Sequence, residues 1–177
     1  MKDYRLVLCD TQVKHSLASS EYNTRRQECE AGVAVLQKHY PDVHSLRDVN
    51  INQLKSHESE FDLVTFKRCK YVVEEIARVL DCCELLKKGD LIGFGENMFK
   101  THEGLSKEYE VSCKELDFLK NQAVASGMVI GARMMGGGFG GCTLNMVKIH
   151  EVDKFIQSMT EAYKSELGLD LKTYMVN

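Results

Sequence analysis

The residues with the clearest chemical potential lie in Gly131–Cys142, Gly-Ala-Arg-Met-Met-Gly-Gly-Gly-Phe-Gly-Gly-Cys, where six of the chain's thirteen glycines fall in twelve positions. Glycine gives up more backbone entropy on folding than any other residue, so such a cluster marks a place where bare main chain is needed. Successive N–H groups in a loop of this kind form a concavity that binds anions, and phosphate is the anion this geometry suggests. Two familiar phosphate motifs match the spacing and fail on context. Gly136, Gly138 and Gly141 fit G-x-G-x-x-G, but that fingerprint lies between a strand and a helix. Here Cys142–Ile149 follows, with Cys142, Leu144 and Met146 on one face and Thr143, Asn145 and Val147 on the other, which is a strand period. Gly136–Gly141 also fits the start of a P-loop, but Cys142 stands where that motif needs Lys. What remains is an antiparallel hairpin, strands near 128–135 and 142–149, with a backbone-lined tip at Gly136, Gly137, Gly138, Phe139, Gly140 and Gly141.

The other chemistry-bearing side chains give weaker signals. Tyr22 is read in a polar loop at a helix entrance, where a phenol offers an apolar face and a hydrogen-bonding hydroxyl. An aromatic plug at the helix start and a ligand contact fit that pattern equally. Asp10, at the end of the first strand, is placed for a general base, though a turn or cap role is more ordinary. His15 (in a loop) and His102 (inside a helix) fit surface or satisfied core positions better than a catalytic base. Ser16, Ser19 and Ser20 lack a G-x-S-x-G elbow and read as helix caps. His57-Glu58, His102-Glu103 and His150-Glu151 never extend to H-E-x-x-H, so no zinc helix and no metal ligand is expected.

These residues need elements to hold them. Tyr4–Thr11 reads as a strand, and a core strand opening so early predicts a further element upstream. Thr24-x-x-Gln27 reads as a capping box for a helix that ends by Pro41. Residues 42–58 are polar and predict a surface loop with one helical turn. From Phe61 a long amphipathic helix runs to a cap at Gly89, and Asp90 caps the next. Gly93, Gly95 and Gly104 either weaken that second helix or let its backbone pack closely. Ser112-Cys-Lys-Glu115 reads as a capping box opening a helix to Gly127, and Val152–Leu167 as another amphipathic helix before a last strand at Leu171–Val176. Four strands with intervening helices predict an α+β, ferredoxin-like domain, a largely antiparallel sheet with helices on one side.

At 177 residues the chain fits one domain. Its net charge of −3 supplies no field for nucleic acid or acidic lipid, and Lys67-Arg68 and Lys87-Lys88 read as solvated helix faces. No apolar run is long enough to span a membrane, and no signal peptide opens the sequence. Seven cysteines without C-x-x-C read as free thiols, mostly buried, which suits a reducing cytoplasm.

Met135-Gly-Gly-Gly-Phe-Gly-Gly-Cys142 resembles the third conserved motif of the GHMP kinases, in the form found in galactokinases. His15–Arg26 with Cys29-Glu30, and Tyr109-Glu-Val-Ser-Cys-Lys-Glu-Leu-Asp117, resemble galactokinase segments in the same order. The resemblance covers nearly the whole chain and implies the family's carboxy-terminal domain, residues 1–177, without its amino-terminal half. It implies transfer of the γ-phosphoryl of Mg-ATP to the C1 hydroxyl of α-D-galactose, with Tyr22 on the sugar and the glycine loop over the sugar–phosphate region. The amino-terminal sugar signature, the phosphate loop of the second motif, and the catalytic aspartate and arginine have no match here. No catalytic base, adenine contact or Mg2+ ligand is therefore expected in this chain, and Mg2+ and ATP belong to the complete enzyme. The implied partners are galactose, ATP and the missing half, with self-association through the uncovered interface. A non-catalytic galactose-sensing or interaction domain, or another GHMP-type sugar kinase, are the alternatives.

Overall fold

A computed structural model describes residues 2–14 and 18–176. The elements are β1 (Tyr4–Lys14), α1 (Ala18–Gln37), α2 (Ile51–Ser56), α3 (Leu63–Lys88), α4 (Leu91–Lys107), α5 (Lys114–Ser126), β2 (Val129–Met135), β3 (Gly140–Lys148), α6 (Val152–Leu167) and β4 (Lys172–Val176). The strands form one four-stranded antiparallel sheet in the order β2-β3-β1-β4. This is the expected ferredoxin-like α+β arrangement.

One face of the sheet carries the main core. Val7 and Cys9 of β1, Ala132 of β2 and Val147 of β3 meet Leu119 and Ala123 of α5 and Phe155, Met159 and Tyr163 of α6. Phe155, Met159 and Tyr163 recur at helical spacing on one side of α6 and are fully buried. Burying Phe155 or Met159 contributes about 1.5–3 kcal/mol each. The Tyr163 hydroxyl, which cannot be left unpaired there, donates to the Thr11 carbonyl at 3.0 Å.

The opposite face is open over β1 and β4, while Met146 of β3, paired with Leu6 on that face, is fully buried. Leu8 pairs with Leu144 on one side and Tyr174 on the other, and Leu6 with Val176. These side chains share a face because directly opposed residues in an antiparallel pair point the same way. Leu6, Leu8 and Leu144 are half-buried, while Tyr174 and Val176 are 42% and 41% exposed.

Along the free edge of β2 lies α4. A Cβ on Gly95 would stand 1.9 Å from the Ile130 carbonyl oxygen, so glycine is there to let helix and strand backbones touch. That resolves the role of Gly95 in favour of close packing. Gly89 and Gly127 take left-handed torsions, φ 73° and 66°, and end α3 and α5 as expected. The Asp90 carboxylate accepts the Gly93 N–H at 2.9 Å and opens α4.

Four expectations change. The helix α1 begins at Ala18, so Thr24 lies within it and not at its cap, and Tyr22 is helical rather than in a loop. The first strand continues to Lys14, past an irregularity at Gln12 (φ 56°). Residues 42–58 are more than a surface loop. Ser45 with Asp48 and Asn50 with Gln53 form reciprocal capping boxes, and Val43, Leu46, Val49 and Leu54 bury against Leu36, Cys69 and Val73. Finally, Arg68 is buried instead of solvated, at 4% exposure, whereas Lys87 and Lys88 lie in the open.

The cysteines are free thiols, but only Cys9 and Cys69 are fully buried and Cys83 is exposed. No helix among the described residues is long and apolar enough to cross a membrane.

Candidate functional site

The β2–β3 hairpin forms as expected, with Gly140 and Gly141 already inside β3, so the apex is Gly136–Phe139. One side of the apex is docked. The Phe139 N–H donates to the Val111 carbonyl at 2.8 Å, and a Cβ on Gly138 (φ 88°) would come within 2.1 Å of that same oxygen. Phe139 itself takes a left-handed torsion, φ 57°, which costs a non-glycine residue about 1–3 kcal/mol. Its ring offsets that cost by packing with Val111, Leu116 and Met134, flanked by Leu105 and Tyr109. The other side is open: a Cβ built on Gly136, Gly137 or Gly141 would meet nothing within 4 Å. The apex is thus anchored by two residues and leaves open space beside bare backbone at Gly136, Gly137 and Gly141.

The docking segment is itself held from three directions. The Arg25 Nε donates to the Tyr109 carbonyl at 2.7 Å and its Nη2 to the Glu110 carbonyl at 3.1 Å. Three consecutive carbonyls, those of Tyr109, Glu110 and Val111, therefore join α1 to the glycine apex. Buried Arg68 donates to the Glu108 carbonyl and to Glu28, and reaches Glu110 Oε2 at 2.6 Å; Lys67 binds Glu110 Oε1 at 2.6 Å. Hydrogen bonds from Arg68 and Lys67 hold the Glu110 carboxyl well below the usual range, at about 2.

A second bracket sits beneath the hairpin. His102, 2% exposed, accepts the Met134 N–H on Nδ1 at 3.0 Å and faces Asp117 Oδ1 with Nε2 at 3.1 Å. Because Nδ1 must accept, the proton is on Nε2 and is donated to the carboxylate. Ser106 and Ser112 hydroxyls also donate to Asp117, at 2.9 Å and 2.5 Å. Burial opposes ionisation of Asp117, but the hydrogen bonds from His102, Ser112 and Ser106 outweigh it and keep its carboxyl below the ordinary value. Both His102 nitrogens are consumed in structure, which is the satisfied-core role expected for it. Ser112 does not cap α5; Cys113 holds the cap position without a side-chain bond, and the Ser112 hydroxyl is spent on Asp117 instead.

Tyr22 lies in α1 one turn before Arg25, and its ring is 61% exposed. The helix that carries Tyr22 is joined to the glycine apex through Arg25 and the 109–111 segment. Asp10 fills the ordinary role: its Oδ1 accepts the Gln12 N–H at 2.9 Å in a local turn. His15 and Ser16 lie outside the described residues, and Ser19 and Ser20 fall inside α1 and not before it. Pattern reasoning missed Arg25, Arg68 and Glu110. Their only trace in the sequence is that apolar-stripe positions of α1 and α3 carry charges of opposite sign to the acidic 108–110 stretch. A separate cavity of about 560 Å3 opens between α1, α3 and residues 44–47, and it takes in neither Tyr22 nor the apex.

Residues 82–165 match the family model described as "GHMP kinases C terminal". A galactokinase of Roseiflexus sp. is 38% identical over 96% of this chain and 44% of its own length. A galactokinase of Clostridium acetobutylicum is 40% identical over 100% of this chain and 46% of its own. The crystal structure of Lactococcus lactis galactokinase complexed with galactose superposes with a TM-score of 0.92 at 30% identity, covering 98% of this chain and 45% of that one. The mevalonate kinase of L. major, at 19% identity and a TM-score of 0.62, shares the fold alone. The chain spans a little under half the length of the relatives it matches. Fold, family match and near-complete alignment agree: over nearly its whole length the chain is similar to part of the galactokinases, and residues 82–165 carry the carboxy-terminal region of the GHMP kinases.

Proposed function

We propose that this chain is the glycine-loop half of a galactokinase, which transfers the γ-phosphoryl group of Mg-ATP to the C1 hydroxyl of α-D-galactose together with an amino-terminal half. The observation that carries the reading is the apex, docked through Gly138 and Phe139 and open at Gly136, Gly137 and Gly141. Bare backbone with open space beside it leaves room for a phosphoryl group in transit, whose transfer rests mostly on positioning and electrostatics. Tyr22, on the helix bound to the same segment, contacts the sugar with its phenol. The apex carries no carboxylate to hold Mg2+, and the ion arrives with the nucleotide as substrate. The catalytic base and the adenine contacts come from the amino-terminal half.

That half docks on the open sheet face formed by Leu6, Leu8, Leu144, Tyr174 and Val176. In support of that occupant, the relatives carry more than half their length outside the matched region. Without its cover the face drives concentration-dependent self-association, which sedimentation velocity on the isolated chain measures. The decisive test is a chimaera in which this chain replaces the matching stretch of the Clostridium acetobutylicum enzyme. Galactose-dependent ADP release by the chimaera, and none by the chain alone, is expected. Turnover by the isolated chain would sink the claim that a second half is needed. A folded chimaera that phosphorylates another sugar and not galactose would sink the substrate.

A further inference from the structure

Away from the glycine loop, His39, His57 and Glu60 converge on one point of the surface. The three come from separate local structures. His39 lies in the turn that follows α1, with its N–H on the Leu36 carbonyl at 3.0 Å. His57 is the C-cap of α2, and Glu60 closes the short 3-10 turn that follows it. The backbone beside each is fixed by burial, since Leu36 and Leu54 are fully enclosed and Tyr40 and Phe61 pack on the same cluster. The side chains are correspondingly ordered. The His39 and His57 rings stack with centroids 3.8 Å apart and planes 17° from parallel, and Tyr40 sets its ring edge-on to His57 at 5.6 Å.

The nitrogens that face inward are His39 Nε2, 2.8 Å from Glu60 Oε1, and His57 Nδ1, 2.9 Å from the same oxygen. All three ligating atoms lie within 4.8 Å of one another. The geometry points to a divalent transition-metal site of the zinc class built from His39 Nε2, His57 Nδ1 and the Glu60 carboxylate.

Two physical arguments support that assignment. Around a tetrahedral ion with ligands near 2.05 Å, neighbouring ligand atoms are about 3.3 Å apart, so the carboxylate oxygen withdraws by about half an ångström and the stacked rings turn apart until each nitrogen meets the ion in its own ring plane. The donor set also selects the metal. Two imidazoles with one carboxylate suit Zn2+, Cu2+ or Ni2+, whereas Mg2+ and Ca2+ take oxygen ligands. The side chains are 34%, 19% and 38% exposed, which leaves an outward coordination position for water. Bound metal would pin the 57–60 turn to the end of α1, replacing a hydrogen-bonded clamp by coordinate bonds. The site lies on the cluster formed by α1, α2 and α3, and it does not depend on the phosphotransfer reading.

Calorimetric titration of Zn2+ into the reduced, chelator-treated chain at neutral pH tests the assignment, with Co2+ absorption as a second readout because seven cysteines compete for zinc. Uptake of one equivalent at micromolar affinity or tighter is expected, with visible cobalt bands and no thiolate-to-cobalt charge transfer. Glu60→Gln, which keeps the shape of the side chain, and His39→Ala should each weaken binding at least tenfold, while His150→Ala, at an exposed histidine elsewhere, leaves it unchanged. Should His39→Ala fail to fold, Glu60→Gln alone carries the comparison. Millimolar affinity, uptake indifferent to Glu60→Gln, or a thiolate band would reduce the cluster to a hydrogen-bonded clamp and overturn the proposal.

Discussion

The glycine apex separates two kinds of requirement, and a pair of substitutions tells them apart. Gly138→Ala adds a methyl group where φ is 88° and where the new Cβ would stand 2.1 Å from the Val111 carbonyl oxygen. The left-handed torsion alone costs an alanine about 1–2 kcal/mol. Val111 cannot yield, because it is 5% exposed, its N–H is bonded to the Leu105 carbonyl at 2.9 Å, and its oxygen accepts from Phe139 at 2.8 Å. The apex must therefore lift, and losing the Phe139 hydrogen bond adds about 0.5–1.5 kcal/mol. The sum, about 1.5–3.5 kcal/mol, shifts a urea midpoint by roughly 0.75–1.75 M at an m-value near 2 kcal/mol/M. Gly137→Ala is the counterpart. Its Cβ meets nothing within 4 Å, so the urea midpoint should stay within about 0.25 M of the parent, since surface changes of this kind fall within ±0.5 kcal/mol. In the chimaeric kinase, however, that methyl fills space reserved for the ligand, and kcat/KM should fall at least tenfold. Urea titration of both variants and an ADP-release assay on the chimaera give the answer. A Gly138→Ala chain as stable as the parent would show that the apex is not docked on Val111. Full activity in Gly137→Ala would show that the open side faces no ligand.

Gly95→Ala should destabilise the chain by about 1–3 kcal/mol or more, since its Cβ would press on the Ile130 carbonyl at 1.9 Å; a melting temperature equal to the parent's would contradict the close α4–β2 approach. Glu110 has its pKa depressed in the folded chain from 4.5 to about 2, so its ion pairs contribute stability above about pH 4.5 that is lost as pH falls towards 2. Stability measured across that window should therefore drop less steeply in Glu110→Gln than in the parent, and parallel curves would argue against the Arg68–Lys67 bracket. Tyr22→Phe removes a hydroxyl from a ring that is 61% exposed, so folding stability should not change. In the chimaera its KM for galactose should rise about tenfold, as expected for loss of one hydrogen bond to a bound substrate, and an unchanged KM would remove Tyr22 from the sugar site.

What was legible in the chain follows the range of the forces involved. The hairpin, the Gly89 and Gly127 caps and the buried face of α6 are local, written in glycine positions and in periods of two and 3.6 residues, and they appear where the pattern put them. Capping signals misled where a tertiary partner outbid the local one. Ser112 has a capping-box sequence, yet its hydroxyl serves Asp117, because that carboxylate also receives His102 and Ser106 in a half-buried pocket where an unpaired charge is costly. Thr24 looks like a cap only because nothing in the sequence shows that α1 already runs from Ala18. The longest-range features were invisible. Arg68 reads as a solvated charge, and Arg25 carries no reading of its own, until residues 108–110, some forty to eighty positions away, bring carbonyls and carboxylates onto them. The same distance hid the His39–His57–Glu60 cluster, whose spacing matches no helical ligand motif because its members sit on three different turns. The glycine loop thus announced bare, exposed backbone by composition, but its orientation is imposed by Val111, and Val111 is held in turn by arginines that no local pattern singled out. For this reason the strongest test of the functional reading lies at Gly138 and Gly137, where the docked and the open faces of one short loop make opposite demands on the same methyl group.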